Sequence, residues 1–166
     1  MKKLQKKRII MSVTNDLTTD QRVKKVCESL NALDYDILLI GRILPDSIKL
    51  NRPYKCKRIK LFFNKGFLFY AEYNLRLFFL VLFSKVDIFH ANDLDTLLPN
   101  YLAARIRRKP IVYDSHEYFT GVPEIQNKTL VKNVWLTIER WIFPKLKYIF
   151  TVNQSIAQLY KEEYNK

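Results

Sequence analysis

The chain has 166 residues, of which 48% are hydrophobic, and this composition excludes a disordered chain and suits one folded domain. Its 29 lysines and arginines exceed its 16 acidic residues, and the formal charge of +13 favours anionic partners. Only two cysteines occur, Cys27 and Cys56, so the sequence predicts a reduced, cytosolic protein without a disulfide framework or a metal site.

Short apolar runs alternate with helical periods along the chain. This alternation predicts an α/β fold, a Rossmann-like open parallel sheet of about six strands with helices on both faces. The predicted strands are residues 8–13, 36–41, 57–63, 86–91, 110–114 and 148–152. The predicted helices are residues 20–33, 67–84, 94–107, 129–143 and a last helix from residue 153. We predict one domain, residues 1–152, followed by a terminal helix, residues 153–166.

The first predicted helix has apolar residues at helical spacing from Val23 to Leu33, which indicates one face on the core. Thr18 and Gln21 have the spacing of a capping box before it. The amino end of this helix is a place where an anion could bind, helped by Arg22.

One later helix contains a proline. In the predicted helix 94–107, Pro99 is tolerated if the helix proper starts at about Thr96, because a proline in the first turn loses no hydrogen bond.

Polar residues concentrate where four predicted strands end, in "TNDLTTDQRV", "HANDLD", "YDSHEYF" and "TVNQS". Ligands of open parallel sheets bind outside these carboxyl ends, so the ends predict a ligand cleft. Residues 14–21 contain no glycine, which argues against a phosphate-binding P-loop and a standard dinucleotide site.

Both histidines, His90 and His116, fall at predicted strand ends. His116 has Asp114 and Glu117 as neighbours, which favours a functional role, whereas His90 suits a functional or a structural role equally. Asp93 suits either a ligand or the cap of the next helix.

A Ser-His-Asp hydrolase site is not expected at residues 114–116. Ser115, His116 and Asp114 are consecutive, and adjacent residues of an extended chain point in different directions, so we predict that they form no relay.

Four segments together carry a family resemblance: "VTNDLTTDQRVKKVCESL", "YDILLIG", "FHANDLDTLLP" and "PIVYDSHEYF". In this order they resemble the amino-terminal domain of family 4 glycosyltransferases, retaining enzymes of the GT-B architecture with two Rossmann-like domains that face a cleft. The resemblance covers nearly the whole chain. It implies that this half binds a sugar or lipid-linked acceptor and that a nucleotide sugar is the donor substrate, with no cofactor.

The resemblance assigns roles to single positions. His116 matches the catalytic histidine that contacts the donor sugar beside the reacting carbon. Many members have glycines in the loop after the first strand, and this chain has none. The remaining predicted cleft and acceptor-binding residues are Asn15, Asp16, Arg22, Asn92, Asp93, Asp114 and Glu117.

The resemblance also implies a carboxyl-terminal domain that carries most of the nucleotide-sugar site, in cis or from a second chain. Half a cleft cannot both hold the departing nucleotide diphosphate and place the acceptor hydroxyl. We therefore expect the 166-residue chain alone to be inactive.

Residues 67–83, "FLFYAEYNLRLFFLVLF", form an apolar helix interrupted by Glu72, Asn74 and Arg76. A membrane span needs about 20 mostly apolar residues, so we expect this helix to pack on protein or to expose an apolar patch. With the basic stretches 52–60 and 105–109, such a patch suits peripheral binding to the anionic inner face of a membrane and a role in surface polysaccharide synthesis.

Two other classes fit part of the sequence. A non-catalytic basic module that binds phosphorylated ligands or nucleic acid agrees with the charge, but the basic residues do not alternate with aromatic residues, so nucleic acid is not expected. A sugar-nucleotide epimerase would share the two-domain fold, whereas "NDLTTDQRV" and "YDSHEYF" favour the transferase.

Overall fold

The computed structural model describes residues 6–121 and 129–165 of the chain. The strands are β1 (Arg8–Asp16), β2 (Asp36–Ile43), β3 (Lys55–Lys60), β4 (Ile88–Asn92), β5 (Ile111–Ser115) and β6 (Tyr148–Thr151). They form one sheet in the order β3-β2-β1-β4-β5-β6, and every neighbouring pair is parallel. The predicted six-stranded parallel sheet is confirmed.

Helices follow most of the strands. Within the described ranges they are α1 (Gln21–Ala32), α2 (Gly66–Phe83), α3 (Leu94–Arg107), α4 (Thr129–Ile142) and α5 (Gln154–Tyr164). Short 3₁₀ turns occupy Phe119–Gly121 and Phe143–Lys145. The predicted terminal helix ends at Tyr164, and Lys166 lies outside the described residues.

Two strand ends differ from the prediction by three residues, and the other strand boundaries differ by two residues or fewer. β1 continues past Val13 to Asp16, which pairs again with Arg42 of β2 after an irregular stretch. β3 ends at Lys60, so the aromatic residues after it belong to the connection to α2. The longer β1 extends the sheet at the edge of the cleft. The shorter β3 leaves the aromatic residues in an exposed connection beside α2.

The two faces of the sheet are covered by different helices. Val23 of α1 packs with Met11 of β1 on one face. Tyr73 of α2 packs with Ile10 and Phe89 on the opposite face, where α3 also lies. Because successive strand residues point to opposite faces, β1 is buried on both sides, as a central parallel strand requires.

The cap of α1 differs from the predicted one. Oδ1 of Asp20 accepts a hydrogen bond from the Val23 N–H at 3.0 Å, so Asp20 caps the helix and the predicted capping box of Thr18 and Gln21 is wrong. Leu33, predicted on the core face, follows the helix and is 69% exposed. A carboxylate already occupies the amino end of α1, and this disfavours an anion there.

Pro99 lies deeper in α3 than predicted, because the helix begins at Leu94 and not at about Thr96. A proline in this position cannot donate to the carbonyl of Asp95, four residues earlier. Nδ2 of Asn74 on α2 donates to that carbonyl at 2.9 Å. The Asn74 side chain thus replaces the hydrogen bond that the proline cannot make.

Candidate functional site

The candidate site lies where the strand order reverses. β1 and β4 are adjacent, and the chain continues outward from them in opposite directions, to β2 and β3 on one side and to β5 and β6 on the other. A crevice for ligands opens outside the carboxyl ends of strands at such a point. The ends of β1, β4 and β5, with the turns that follow them, therefore define the site.

The side chain of His116 is clamped between two carboxylates. Its Nε2 lies 3.0 Å from Oδ2 of Asp114, and its Nδ1 lies 3.3 Å from Oδ2 of Asp93. The backbone N–H of His116 donates to Oδ1 of Asp93 at 2.7 Å. Only 3% of the His116 side chain is exposed. The clamp, defined as Asp93, Asp114 and His116, thereby joins the turn after β5 to the turn after β4.

The charges of the clamp favour a protonated imidazole. Burial lowers the pKa of His116, but the hydrogen bonds and negative charges of Asp114 and Asp93 outweigh burial and raise the pKa to about 9. Burial raises the pKa of Asp114, but the hydrogen bond from His116 and the nearby imidazole of His90 outweigh burial and hold the pKa well below its usual range. At neutral pH an imidazolium therefore lies between two carboxylates, and the clamp has a net negative charge.

The backbone of Asp93 has an unusual conformation. Its φ of 63° and ψ of 167° lie in a region that glycine occupies almost alone, and such a conformation costs about 1–3 kcal/mol in other residues. The Asp93 N–H donates to the Asp114 carbonyl at 2.9 Å, which holds the two turns together. The Asp93 side chain makes no cap hydrogen bond to α3, so it serves the clamp and not the cap that the sequence also suggested.

His90 is a second imidazole beside Asp114. Its Nε2 lies 3.6 Å from Oδ2 of Asp114, beyond ordinary hydrogen-bond length, and the residue is buried. Within the part of the chain that the structure describes, His90 Nε2 has no hydrogen-bond partner. His90 and Asp114 come together only because β4 aligns with β5, where Asn92 pairs with Asp114. The sequence alone does not show this alignment, so it left the role of His90 open.

Asn92 is bonded to the sheet below the clamp. Its Nδ2 donates to the Ser12 carbonyl at 3.0 Å, and its own carbonyl accepts from the Thr96 hydroxyl at 2.8 Å. Only 1% of the residue is exposed. Asn92 therefore joins β4 to β1, and a direct contact with a ligand stays a prediction.

Asp95 is a buried carboxyl group that the sequence analysis did not select. It accepts a hydrogen bond from the Thr14 hydroxyl. Burial raises the pKa of Asp95 to about 7, the Thr14 hydrogen bond opposes this, and the charges of Asp93 and Glu117 add to it. A carboxyl group that titrates near neutrality in a cleft is typical of functional sites. The only signal in the sequence was the second acidic residue of "HANDLD".

The predicted residues at the end of β1 do not join the clamp. Asp16 accepts hydrogen bonds from the Thr18 N–H at 2.9 Å and from the Ser47 hydroxyl. Burial raises the pKa of Asp16, but these hydrogen bonds outweigh burial and lower it below the ordinary value. Asp16 thus fixes its turn to the segment after β2. Asn15 and Arg22 are exposed, and their contact with a ligand stays a prediction.

Ser115 lies on the other side of β5 from the clamp. Its hydroxyl is 2.8 Å from that of Tyr160 and donates to the Glu117 carbonyl at 2.9 Å, which excludes the Ser-His-Asp relay. Asp114 and His116 do pair, because residues two apart share one side of a strand. Glu117 itself is exposed at the rim of the site.

The chain is thus an α/β domain with a buried cluster of charged side chains at the switch point of its parallel sheet. Residues 20–166 match the model of Glycosyltransferase Family 4, and the chain belongs to this family. The search of curated proteins gave no significant match.

Solved structures with a similar fold include two UDP-N-acetylglucosamine 2-epimerases. One has a TM-score of 0.60 and 13% identity, with 98% of this chain and 46% of the epimerase covered. The other, from Methanocaldococcus jannaschii, has a TM-score of 0.53 and 14% identity, with 98% and 43% covered. Identities this low show the fold alone. The chain spans less than half of each epimerase and has the fold of one half of a GT-B-type protein.

Proposed function

We propose that this chain is the acceptor-side half of a retaining glycosyltransferase, of hexosyltransferase type, that acts with a carboxyl-terminal donor domain. The sugar moves from a nucleotide-sugar donor to a glycan or lipid-linked acceptor in the synthesis of surface polysaccharide, at the cytoplasmic face of a membrane. Membership of family 4 supports the class of reaction. The observation that carries the proposal is the burial of His116 between Asp93 and Asp114 at the switch point.

The electrostatics of the clamp suit the sugar side of such a reaction. Glycosyl transfer builds positive charge on the ring of the donor sugar, and nearby carboxylates stabilise that charge. The clamp of His116 and two aspartates is net negative, and Asp95 and Glu117 add carboxyl groups beside it. The departing diphosphate, in contrast, needs positive groups, which we assign to the donor domain.

The exposed rim suits an acceptor with hydroxyl groups. The Glu117 side chain is exposed beside the clamp, and a carboxylate there accepts hydrogen bonds from sugar hydroxyls. Because the His116 ring is buried, we propose that it positions the turn after β5 and sets the charge beside the donor sugar. The family resemblance adds the expectation of a direct contact between His116 and that sugar.

The proposal is tested by sugar transfer. The polypeptide as isolated from its source cells is incubated with a set of nucleotide sugars and a lipid extract of those cells, beside the 166-residue chain. We expect transfer by the native polypeptide, a loss of about 100-fold or more for His116→Ala, and no turnover by the 166-residue chain. Ser115→Ala, on the other side of β5, is the matched control and keeps transfer. Full transfer by His116→Ala would contradict the role of the clamp.

The rival class is a non-catalytic module that binds phosphorylated ligands or nucleic acid, and the formal charge of +13 favours it. The carboxyl groups around His116 oppose it, because they repel phosphate in the crevice. Retention of oligonucleotides that falls steeply with salt, without any sugar transfer by the native polypeptide, would favour the module.

A further inference from the structure

The outward face of α2 and the connection before it form an exposed surface rich in apolar side chains. We call it the apolar ridge; its members are 47% to 83% exposed. They are Phe62, Phe63, Leu68, Leu75, Phe79 and Phe83. The four members on α2 recur at helical spacing along one face, and an exposed apolar patch of this kind marks a site of interaction.

The opposite face of α2 belongs to the core. Phe69, Tyr73, Leu77 and Val81 are buried against the sheet. By length and composition alone the helix could cross a membrane, but these contacts hold it flat on the domain. The apolar ridge is therefore a surface of a folded domain and not one side of a free helix.

The apolar ridge has a fixed shape. The rings of Phe79 and Phe83 stack with centroids 6.5 Å apart. Glu72 accepts hydrogen bonds from the Phe62 and Phe63 N–H groups, at 2.9 Å for its closest bond to each, and pairs with Nε of Arg76 at 2.8 Å. Glu72 and Arg76 are one turn apart on α2, which is the spacing of a helical ion pair. The pairing also neutralises the acidic residue beside the apolar ridge.

The charge around the apolar ridge is strongly positive. Residues 52–85 contain eight lysines and arginines and one acidic residue, Glu72. Among the basic residues, Lys60 and Lys65 are exposed at one end of α2 and Lys85 at the other. A second copy of this chain would bring the same positive charge to the contact, so self-association through this face is disfavoured. An anionic surface has the complementary charge.

We propose that the apolar ridge docks on an anionic lipid bilayer, with its aromatic side chains among the headgroups and the flanking lysines against lipid phosphates. Docking does not require sugar transfer, so it can succeed or fail independently of the function proposed above. Phe62 and Phe63 follow β3 at the carboxyl end of the sheet, the same end as the clamp. Docking of this end of the apolar ridge turns the clamp toward the membrane surface, where the proposed lipid-linked acceptor lies, whereas Phe83 is at the other end of α2.

Binding to vesicles tests the proposal. The chain is sedimented with vesicles of phosphatidylcholine alone and of phosphatidylcholine with phosphatidylglycerol, at low and at high salt. We expect binding to the anionic vesicles, weakened by salt, and a loss of about tenfold or more for Phe79→Glu. Phe83→Glu, at the last residue of α2, is a second variant with the same expected loss.

The matched control is Phe150→Glu. Phe150 lies on β6 outside the apolar ridge and is 60% exposed, against 51% for Phe79, so the change in charge and residue type is the same. We expect Phe150→Glu to bind like the unchanged chain, and circular dichroism verifies that each variant is folded.

Three results would overturn the proposal. The first is the absence of binding to anionic vesicles at low salt. The second is equal binding by the unchanged chain, Phe79→Glu and Phe83→Glu, which would leave charge as the only cause. A dimer in sedimentation equilibrium that Phe79→Glu dissociates would identify a second copy as the occupant, and would also refute it.

Discussion

Nε2 of His116 lies 3.0 Å from Oδ2 of Asp114, two residues earlier on the same chain. β5 ends between them, and its alternation turns both side chains to the face that Ser115 does not occupy. Asp93 approaches the same imidazole from the turn after β4. The clamp therefore depends on one local pair within β5 and one contact between neighbouring strands.

The first prediction concerns the charge of His116. Asp114→Asn removes one carboxylate from the imidazole, and we expect the pKa of His116 to fall from about 9 toward the ordinary value of about 6.5. Asp93→Asn should also lower the pKa of His116, by a smaller amount. An NMR pH titration of the histidine ring protons measures the change. The chain has two histidines, so the signals that remain in His90→Gln are those of His116.

The same shift has a consequence for stability. Because the folded-state pKa of His116 is raised, the clamp contributes stability that is complete below about pH 6.5 and is lost as the pH rises through about 9. Asp114→Asn should remove this alkaline loss. An unchanged His116 titration in Asp114→Asn would mean that the 3.0 Å contact does not set the charge.

The second prediction concerns Asp95, whose pKa is raised to about 7 by burial. Between about pH 4 and pH 7 the folded chain retains a proton that the unfolded chain has lost, so the stability falls as the pH rises. Asp95→Asn should remove this part of the fall and stabilise the fold on the order of 1–3 kcal/mol at pH 8. The expectation requires that the Thr14 hydroxyl still donates to the new amide oxygen.

Urea unfolding at several pH values measures this effect. Glu139, also buried and with a pKa raised to about 7, remains in Asp95→Asn, so part of the pH dependence persists. Asp46→Asn at an exposed position is the control and should leave the pH dependence unchanged. Equal pH dependence in Asp95→Asn and in the unchanged chain would contradict the prediction.

The third prediction concerns the Asp95 carbonyl, to which Pro99 cannot donate a hydrogen bond. Asn74→Ala removes the hydrogen bond to the Asp95 carbonyl at 2.9 Å, and we expect a loss of about 1–3 kcal/mol in the free energy of unfolding. In a Pro99→Ala background the new N–H can donate to that carbonyl, so the same Asn74→Ala change should cost less. A double-mutant cycle measured by urea unfolding compares the two costs, and equal costs would exclude this coupling.

The fold was predictable because its signals are local. Apolar runs separated by helical periods located all six strands, since burial on both faces leaves no alternative for a central parallel strand such as β1. The errors at Val13 and Lys60 are errors of boundary. They arise because pairing with a neighbouring strand, and not local sequence, decides where a strand ends.

The site was only partly predictable, for the same physical reason. His116 and Asp114 could be selected from one segment, but the turn of Asp93 toward His116 depends on a backbone conformation with φ of 63° that aspartate rarely adopts. In the sequence, Asn74 is only a polar break in an apolar helix. Its role depends on the packing of α2 against α3, because its partner is 21 residues away along the chain.

The last prediction concerns Gly41 on β2, beside the end of β1. A Cβ atom there would lie 2.4 Å from Cδ2 of Leu17 and 2.8 Å from the Asn15 carbonyl oxygen. Gly41→Ala should therefore displace the turn after β1 and destabilise the fold by about 1–3 kcal/mol, as overpacking does. Leu17→Ala removes the contact with the Leu17 side chain but leaves the contact with the Asn15 carbonyl oxygen. Most of the loss caused by Gly41→Ala should therefore remain in the double variant, after the cost of Leu17→Ala itself is subtracted. Urea unfolding of the two single variants and the double variant separates the contributions. Full rescue by Leu17→Ala would mean that the backbone at Asn15 moves freely and that β1 does not fix this edge of the crevice.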